Sequence, residues 1–217
     1  MKKPVKRRYD NSRRQALVRV TKAYVVEVAG VLFVERGYAS TTIEAIAEAS
    51  KVPLATVYRL FESKLGIFKA VLDTSFVGDD RPVALHDRPT AKAAAAQTDP
   101  KRFLEGYARL CREVLDRSGA IQHVLRGAAA VDPEVAELLA TISRQRYEGQ
   151  SRVARGLVER RALAPGLLEK DAADMIYALM SPELHHVFSV ERRWSADRYE
   201  RWLARTLCQS LLKPPPA

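Results

Sequence analysis

Cysteine is scarce. Cys111 and Cys208 are the only two in 217 residues, neither sits in a CxxC pair, and neither stands at ligand spacing from a histidine. A disulfide framework and a zinc site are therefore unsupported, and both thiols are expected to pack as small buried hydrophobes. Long apolar runs are also missing: nothing approaches the ~20 residues that a membrane span requires, and the basic start is not followed by the apolar core of a signal peptide. This points to a cytoplasmic protein with no membrane partner. Catalytic signatures are absent as well, with no paired-carboxylate motif, no Gly-rich phosphate loop and no nucleophile elbow. No catalytic residue, cofactor or metal is expected. His185 and His186 are adjacent, so on a helix they diverge by about 100° and cannot share a metal at i, i+4 spacing. Strand alternation appears nowhere, and the fold class read from the sequence is all-α.

Positive charge, by contrast, is plentiful and uneven. The formal net charge is +10, and residues 1 to 64 hold 13 Lys and Arg against 6 Asp and Glu, while the remaining residues hold 23 against 20. The cationic field is concentrated at one end, which predicts salt-dependent binding to a polyanion such as DNA. The first part of that end, residues 1–20, contains Lys2, Lys3, Lys6, Arg7, Arg8, Arg13 and Arg14 and lacks the apolar residues needed to pack. It reads as a mobile basic arm, free to reach phosphates or the minor groove or to stay solvated.

The stretch from Thr41 to Lys64, TTIEAIAEASKVPLATVYRLFESK, reads as two short helices joined by a tight turn. Thr41 and Glu44 fit a capping box, which predicts a helix from Thr42 to about Ser50 with Ile43, Ile46 and Ala47 on its buried face. The next helix starts around Pro53, whose fixed φ suits a first turn. Val57, Leu60 and Phe61 form its apolar face. Leu54, Ala55, Thr56, Tyr58 and Arg59 form the other, a mixture without the Glu/Lys lacing of an ordinary solvated helix. In a helix-turn-helix the second helix enters the major groove N-terminus first, and Pro53 and Ala55 are small enough to allow that approach.

These residues resemble the tetracycline-repressor-like (TetR) transcriptional regulators. Phe33, Glu35, Gly37, Tyr38, Thr41, Thr42, Ile43, Ile46, Ala47, Thr56, Val57, Tyr58, Phe61, Ser63 and Lys64 match the family's spaced run, and the match spans roughly residues 25 to 72. The resemblance implies that Thr41 or Thr42, Thr56, Tyr58 and Lys64 hold phosphates, while Pro53, Leu54, Ala55 and Arg59 face base edges. Three positions depart from the family pattern. Lys51 stands where Gly is usual, and must either accept a positive φ or use another turn, though a cation there also faces the DNA backbone. Leu60 replaces a frequent aromatic or His, so no contact is assigned to it. Leu65 replaces an acidic residue, leaving Ser63 to cap the following helix alone.

The implied organisation is a basic arm over 1–20, a helix-turn-helix domain with its connecting helix over 21–76, and a helical ligand-binding and dimerisation domain over 77–217. Helical spacing of Val25, Val28, Ala29 and Leu32 predicts a first helix over 21–36 with Gly37 as its C′ residue. Leu65, Phe68, Leu72 and Phe76 predict another over 64–76. Residues 78–99 read as an irregular connection with one short helix over 90–97. Asp99-Pro100, Asp132-Pro133 and Ser181-Pro182 each pair a capping side chain with Pro at a first helical position. Helices are expected at about 100–117, 119–130, 133–162, 169–180, 182–192 and 196–212, the last capped by Ser195.

Met175, Ile176, Leu179 and Met180, then Trp202, Leu203, Leu207 and Leu211, give two apolar stripes. The resemblance implies a homodimer through these last two long helices, the alternative being that the stripes only close a protomer's own core. It also implies a small-molecule effector pocket among the central helices. Tyr107, His123, Arg126, Tyr147, Met175, Tyr177 and Met180 are the candidates to line it. The resulting function is a ligand-responsive repressor on a palindromic double-stranded DNA operator. The alternatives are an all-α enzyme using His123 or the His185/His186 pair, and a protein adaptor using the 182–212 region.

Overall fold

The computed structural model of the protein describes residues 11–78 and 83–214. The chain divides into two compact units, one ending at Val71 and the other beginning at Leu72. Among the described residues there is no strand, only one isolated antiparallel bridge between Leu163 and Leu212.

The first unit is built from α1 (Asn11–Ser40), α2 (Ile43–Ser50), α3 (Leu54–Phe61) and the start of α4 (Lys64–Val77). Helix α1 begins ten residues before the expected boundary, so residues 11–20 are helical rather than part of an extended arm. No Pro or Gly interrupts Asn11 to Val28, so hydrogen-bonded propagation continues toward the N-terminus although Leu17 and Val20 stay exposed. Residues Lys2, Lys3, Lys6, Arg7 and Arg8 lie outside the described residues. Gly37 breaks the helical path at φ 79, ψ 168, a conformation that glycine adopts without a Cβ penalty.

Val25, Ala29 and Phe33 from α1 are fully buried, as are Ile46, Val57, Ile67 and Phe68. Phe33 meets Phe68 edge-on with ring centroids 4.9 Å apart, and Tyr38 completes the aromatic group at 4.9 Å from Phe68. Such pairs add roughly 0.5–1.5 kcal/mol beyond their area. A close approach fixes the start of α4. A Cβ on Gly66 would lie 2.1 Å from the Phe61 carbonyl oxygen, so this position admits no side chain while α3 and α4 keep their angle. The Ser63 hydroxyl accepts from the Gly66 amide at 3.0 Å and caps α4, as expected.

The second unit comprises the end of α4, α5 (Pro89–Ala95), α6 (Pro100–Ala129), α7 (Pro133–Glu159), α8 (Glu169–Leu179), α9 (Pro182–His185) and α10 (Ala196–Leu211). Helix α6 packs against α5, α7 and α10, and α7 lies against α8. The caps read from the sequence are present: Asp99, Asp132, Ser181 and Ser195 each accept an amide hydrogen bond at their helix start.

Several boundaries differ. The two helices expected at 100–117 and 119–130 are one 30-residue helix. Ser118 turns its hydroxyl back onto the Val114 carbonyl at 2.7 Å, and Gly119 leaves room for His185, whose Nδ1 would lie 3.3 Å from an added Cβ. Gly119 therefore serves packing rather than termination. Helix α7 ends at Glu159, before the positive φ of Arg161. Arg160 then turns back, donating to the carbonyls of Ala95, Gln97 and Gly156 and stacking on Phe103 at 4.1 Å. The 182–192 helix begins as one α-turn and continues as a π-helical turn, His186–Glu191. A short 3-10 turn, Leu85–Asp87, precedes α5 in the connection.

The apolar stripes assigned to a dimer are largely consumed within the protomer. Ile176, Leu203, Leu207 and Leu211 are fully buried in the unit's own core, and Met180 nearly so, leaving Met175, Leu179 and Trp202 partly buried at its edge. Two stripes on neighbouring helices first close the core to which both helices contribute, and α10 spends its face on α6 and α8.

Candidate nucleic-acid interface and ligand cavity

Helix α2 is capped by Thr42, whose hydroxyl accepts from the Ala45 amide at 3.1 Å. This corrects the expected capping box by one residue. Thr41 is instead fully buried and donates to the carbonyls of Gly37 at 2.8 Å and Leu32 at 3.2 Å. Its hydroxyl ties the turn after Gly37 to α1, so a phosphate contact from this side chain is not available in this arrangement. The turn after α2 uses the first of the two routes open to it: Lys51 adopts φ 53, ψ 29, and its amide donates to Ala47 and Glu48.

The faces of α3 separate cleanly. Val57 and Phe61 are buried, whereas Pro53, Leu54, Ala55, Tyr58 and Arg59 are exposed and Thr56 is half-buried. No acidic residue lies within α3, and Lys51 stands exposed just before it. Pro53 offers no side-chain cap, so the first amides of α3 carry the partial positive charge of a helix N-terminus. Tyr58 sits with its hydroxyl 3.4 Å from a Glu44 carboxylate oxygen on α2. Lys64 is oriented from within the fold: its ammonium donates to the Tyr38 carbonyl at 3.0 Å and lies 4.2 Å from the Tyr38 ring centroid. A lysine held this way has one donor already used and two left for other acceptors.

In the second unit a cavity of about 330 Å³ opens between α6 and α7, with Phe76, Leu85 and Ala91 along one side. Of the seven candidates for ligand contact, Tyr107 and Met180 line it. The other five are placed elsewhere. His123 stacks on His186 with centroids 4.7 Å apart, and Arg126 pairs with Glu183. Tyr147 donates to Asp174 at 2.9 Å, Tyr177 lies beneath Arg146, and Met175 packs at the edge of the core. Helical polarity alone did not reveal which face turned inward. Cavity residues that the sequence reading missed include Gln122, Gln145, Arg146, Gly149 and Arg152; a usable signal was the i, i+3, i+7, i+10 spacing of Ile142, Gln145, Gly149 and Arg152 on α7. Burial pushes the Cys111 thiol up to about 12, opposed by the nearby Arg146 charge, so it lines the wall as a neutral group. Tyr107 is raised by burial and pulled back by Arg160 and Arg152. Among the described residues no group of three or more His, Cys, Asp or Glu is placed to hold a metal ion, and no helix is long and apolar enough to cross a membrane.

The chain thus combines a helix-turn-helix unit with a separate helical unit that has its own cavity. Residues 25–71 match the family model described as bacterial regulatory proteins, tetR family. The first unit is thus similar to the DNA-binding unit of that family. It is 30% identical over 98 residues to the HTH-type transcriptional repressor DhaR of Mycobacterium sp. (strain GP1), covering 45% of this chain and spanning just under half of that relative, 46%. The fold is also that of solved structures at low identity. The SmeT–triclosan complex matches with a TM-score of 0.66 at 16% identity, over 91% of this chain and 99% of that one. NalD, the secondary repressor of the MexAB-OprM multidrug efflux pump in Pseudomonas aeruginosa, matches with a TM-score of 0.62 at 19% identity, over 89% and 97%.

Proposed function

We infer that this protein is a DNA-binding transcription regulator that acts as a homodimeric repressor on a palindromic operator and is released by a small molecule bound in the cavity of its second unit. The observation that carries the reading is the exposed face of α3, which has no acidic residue of its own, preceded by the Lys51 cation and a helix N-terminus without a side-chain cap. Arg59 reads a base edge, the residue type most often paired with guanine. Pro53, Leu54 and Ala55 allow the close approach. Thr42, Lys51, Thr56, Tyr58 and Lys64 position the helix on phosphates, which fixes register without reading sequence. The similarity to a transcriptional repressor supports the negative sign of regulation.

A palindrome requires two copies. The partly buried Met175, Leu179 and Trp202 are what a second copy would cover on α8 and α10. Effector release then works by population shift: a ligand that binds better to the non-binding spacing of the two heads lowers operator affinity by its differential affinity for the two states.

The test is retention of random DNA duplexes by the purified protein at two salt concentrations, followed by sequencing of the retained pool. An enriched inverted repeat is expected. Salt-sensitive retention with no enriched site would reduce the first unit to a non-specific clamp, and no retention would return the enzyme and adaptor alternatives.

A further inference from the structure

The cavity between α6 and α7 has a one-sided charge. Among the described residues its lining includes Arg146, Arg152 and His86 and no aspartate or glutamate. The two arginines differ in how they are held. Arg146 donates to the Tyr177 carbonyl at 2.9 Å and lies 3.5 Å from the Tyr177 ring centroid, so it is anchored and contributes mainly its field. Arg152 is exposed, forms none of the ion pairs found among the described residues, and lies close enough to Tyr107 for its charge to act on that hydroxyl. The rest of the wall is largely apolar, with Leu110, Val114 and Ile142. On the same face of α7 as Ile142, Gly149 leaves a gap, because a Cβ there would meet nothing within 4 Å. From Ile142 to Arg152 the α7 wall runs about 15 Å at 1.5 Å per residue. The cavity thus combines a largely apolar lining with two arginines and no aspartate or glutamate.

We propose that this cavity binds an amphipathic organic anion, a single carboxylate on an unbranched apolar body of medium length. The carboxylate pairs with Arg152 beside the Tyr107 hydroxyl, and the body lies along Leu110, Val114 and Ile142 over the gap at Gly149. A guanidinium presents a planar fork matched to a carboxylate. A cationic ligand would meet two like charges with no counter-charge in the wall, and a neutral one would leave Arg152 unused. The inference rests on the reading of this cavity as the effector site and adds the ligand's chemical class.

The experiment is isothermal titration of the full-length chain, without DNA, with decanoate, decan-1-ol and decyltrimethylammonium. Decanoate is expected to bind at one per chain, with the alcohol at least about tenfold weaker and the ammonium weaker still, the size of one charge-assisted contact. Arg152→Gln should lower decanoate affinity about ten- to hundredfold and leave the alcohol unchanged. Because Arg152 is exposed, this change does not threaten folding. Gly149→Phe should fill the gap and weaken both decanoate and the alcohol, with a thermal melt by circular dichroism confirming that the helices persist. Equal binding of all three probes, preference for the ammonium, no binding of any, or an Arg152→Gln variant that loses acid and alcohol alike would each overturn the proposal. Decanoate binding that leaves operator affinity unchanged supports the ligand class and removes the effector role. Operator release by another compound, with no decanoate binding, removes the ligand class alone.

Discussion

The two units of this chain present function in opposite ways. In the first, the exposed residues of α3 and the turn before it lie within nine consecutive positions, Lys51 to Arg59, and their exposure follows from helical spacing. In the second, the residues that face the cavity come from α4, α5, α6, α7 and the chain after α8, and no single segment contains the pattern. A DNA-reading surface must be convex, so one short helix can supply it. A ligand cavity must be concave, so several helices have to be assembled before any of its walls exists.

Four substitutions test this contrast. The largest effect is expected at Gly66. Gly66→Ala places a Cβ against the Phe61 carbonyl, and forcing α4 away should destabilise the first unit by about 3 kcal/mol or more, at the upper end of overpacking. Unfolding followed by circular dichroism would record it, and a melt unchanged from the parent protein would show that the close approach is not maintained in solution. Arg59→Ala is next. Loss of one bidentate base contact should weaken operator binding by about 1–3 kcal/mol and relax one base position, while affinity for random DNA hardly changes. Fluorescence anisotropy on both duplexes checks this, and an equal loss on each would remove Arg59 as the reader. Lys64→Ala should weaken all duplexes alike and reduce the salt slope by about one. It also frees the Tyr38 carbonyl that the ammonium caps, so a melt must accompany the titration.

The smallest effect is expected at Lys51. Its αL conformation is strained for a side-chain residue, and Lys51→Gly should stabilise the fold by about 0.5–1 kcal/mol while lowering DNA affinity through the lost cation. Stability and affinity moving in the same direction would mean that Lys51 serves only the turn.

Local rules explain what was readable in advance. Asp99, Asp132, Ser181 and Ser195 mark their helix starts because a cap acts within three residues, and α2 and α3 fall where their periodicity places them. The same rules failed where a distant partner decided. Thr41 looked like a cap, yet its hydroxyl is drawn to α1, nine residues back at Leu32, and Thr42 caps instead. Ser118-Gly119 looked like a break, yet the missing Cβ makes room for His185 from sixty-six residues away in the chain. Gly66 passed unnoticed, although a glycine in the first turn of an otherwise amphipathic helix is disfavoured enough to need a reason.

The all-α class, the helix-turn-helix with its exposed face, the basic end of the chain and most helix starts follow from local order along the chain, because propensity, capping and periodicity act over a few residues. Burial of Thr41, anchoring of Lys64, closure of the protomer's own core by the stripes of α8 and α10, and the meeting of Arg152, Gly149 and Tyr107 around one cavity came with the assembled fold. Those outcomes depend on which helix faces meet, and that choice is made by packing between segments far apart in the chain.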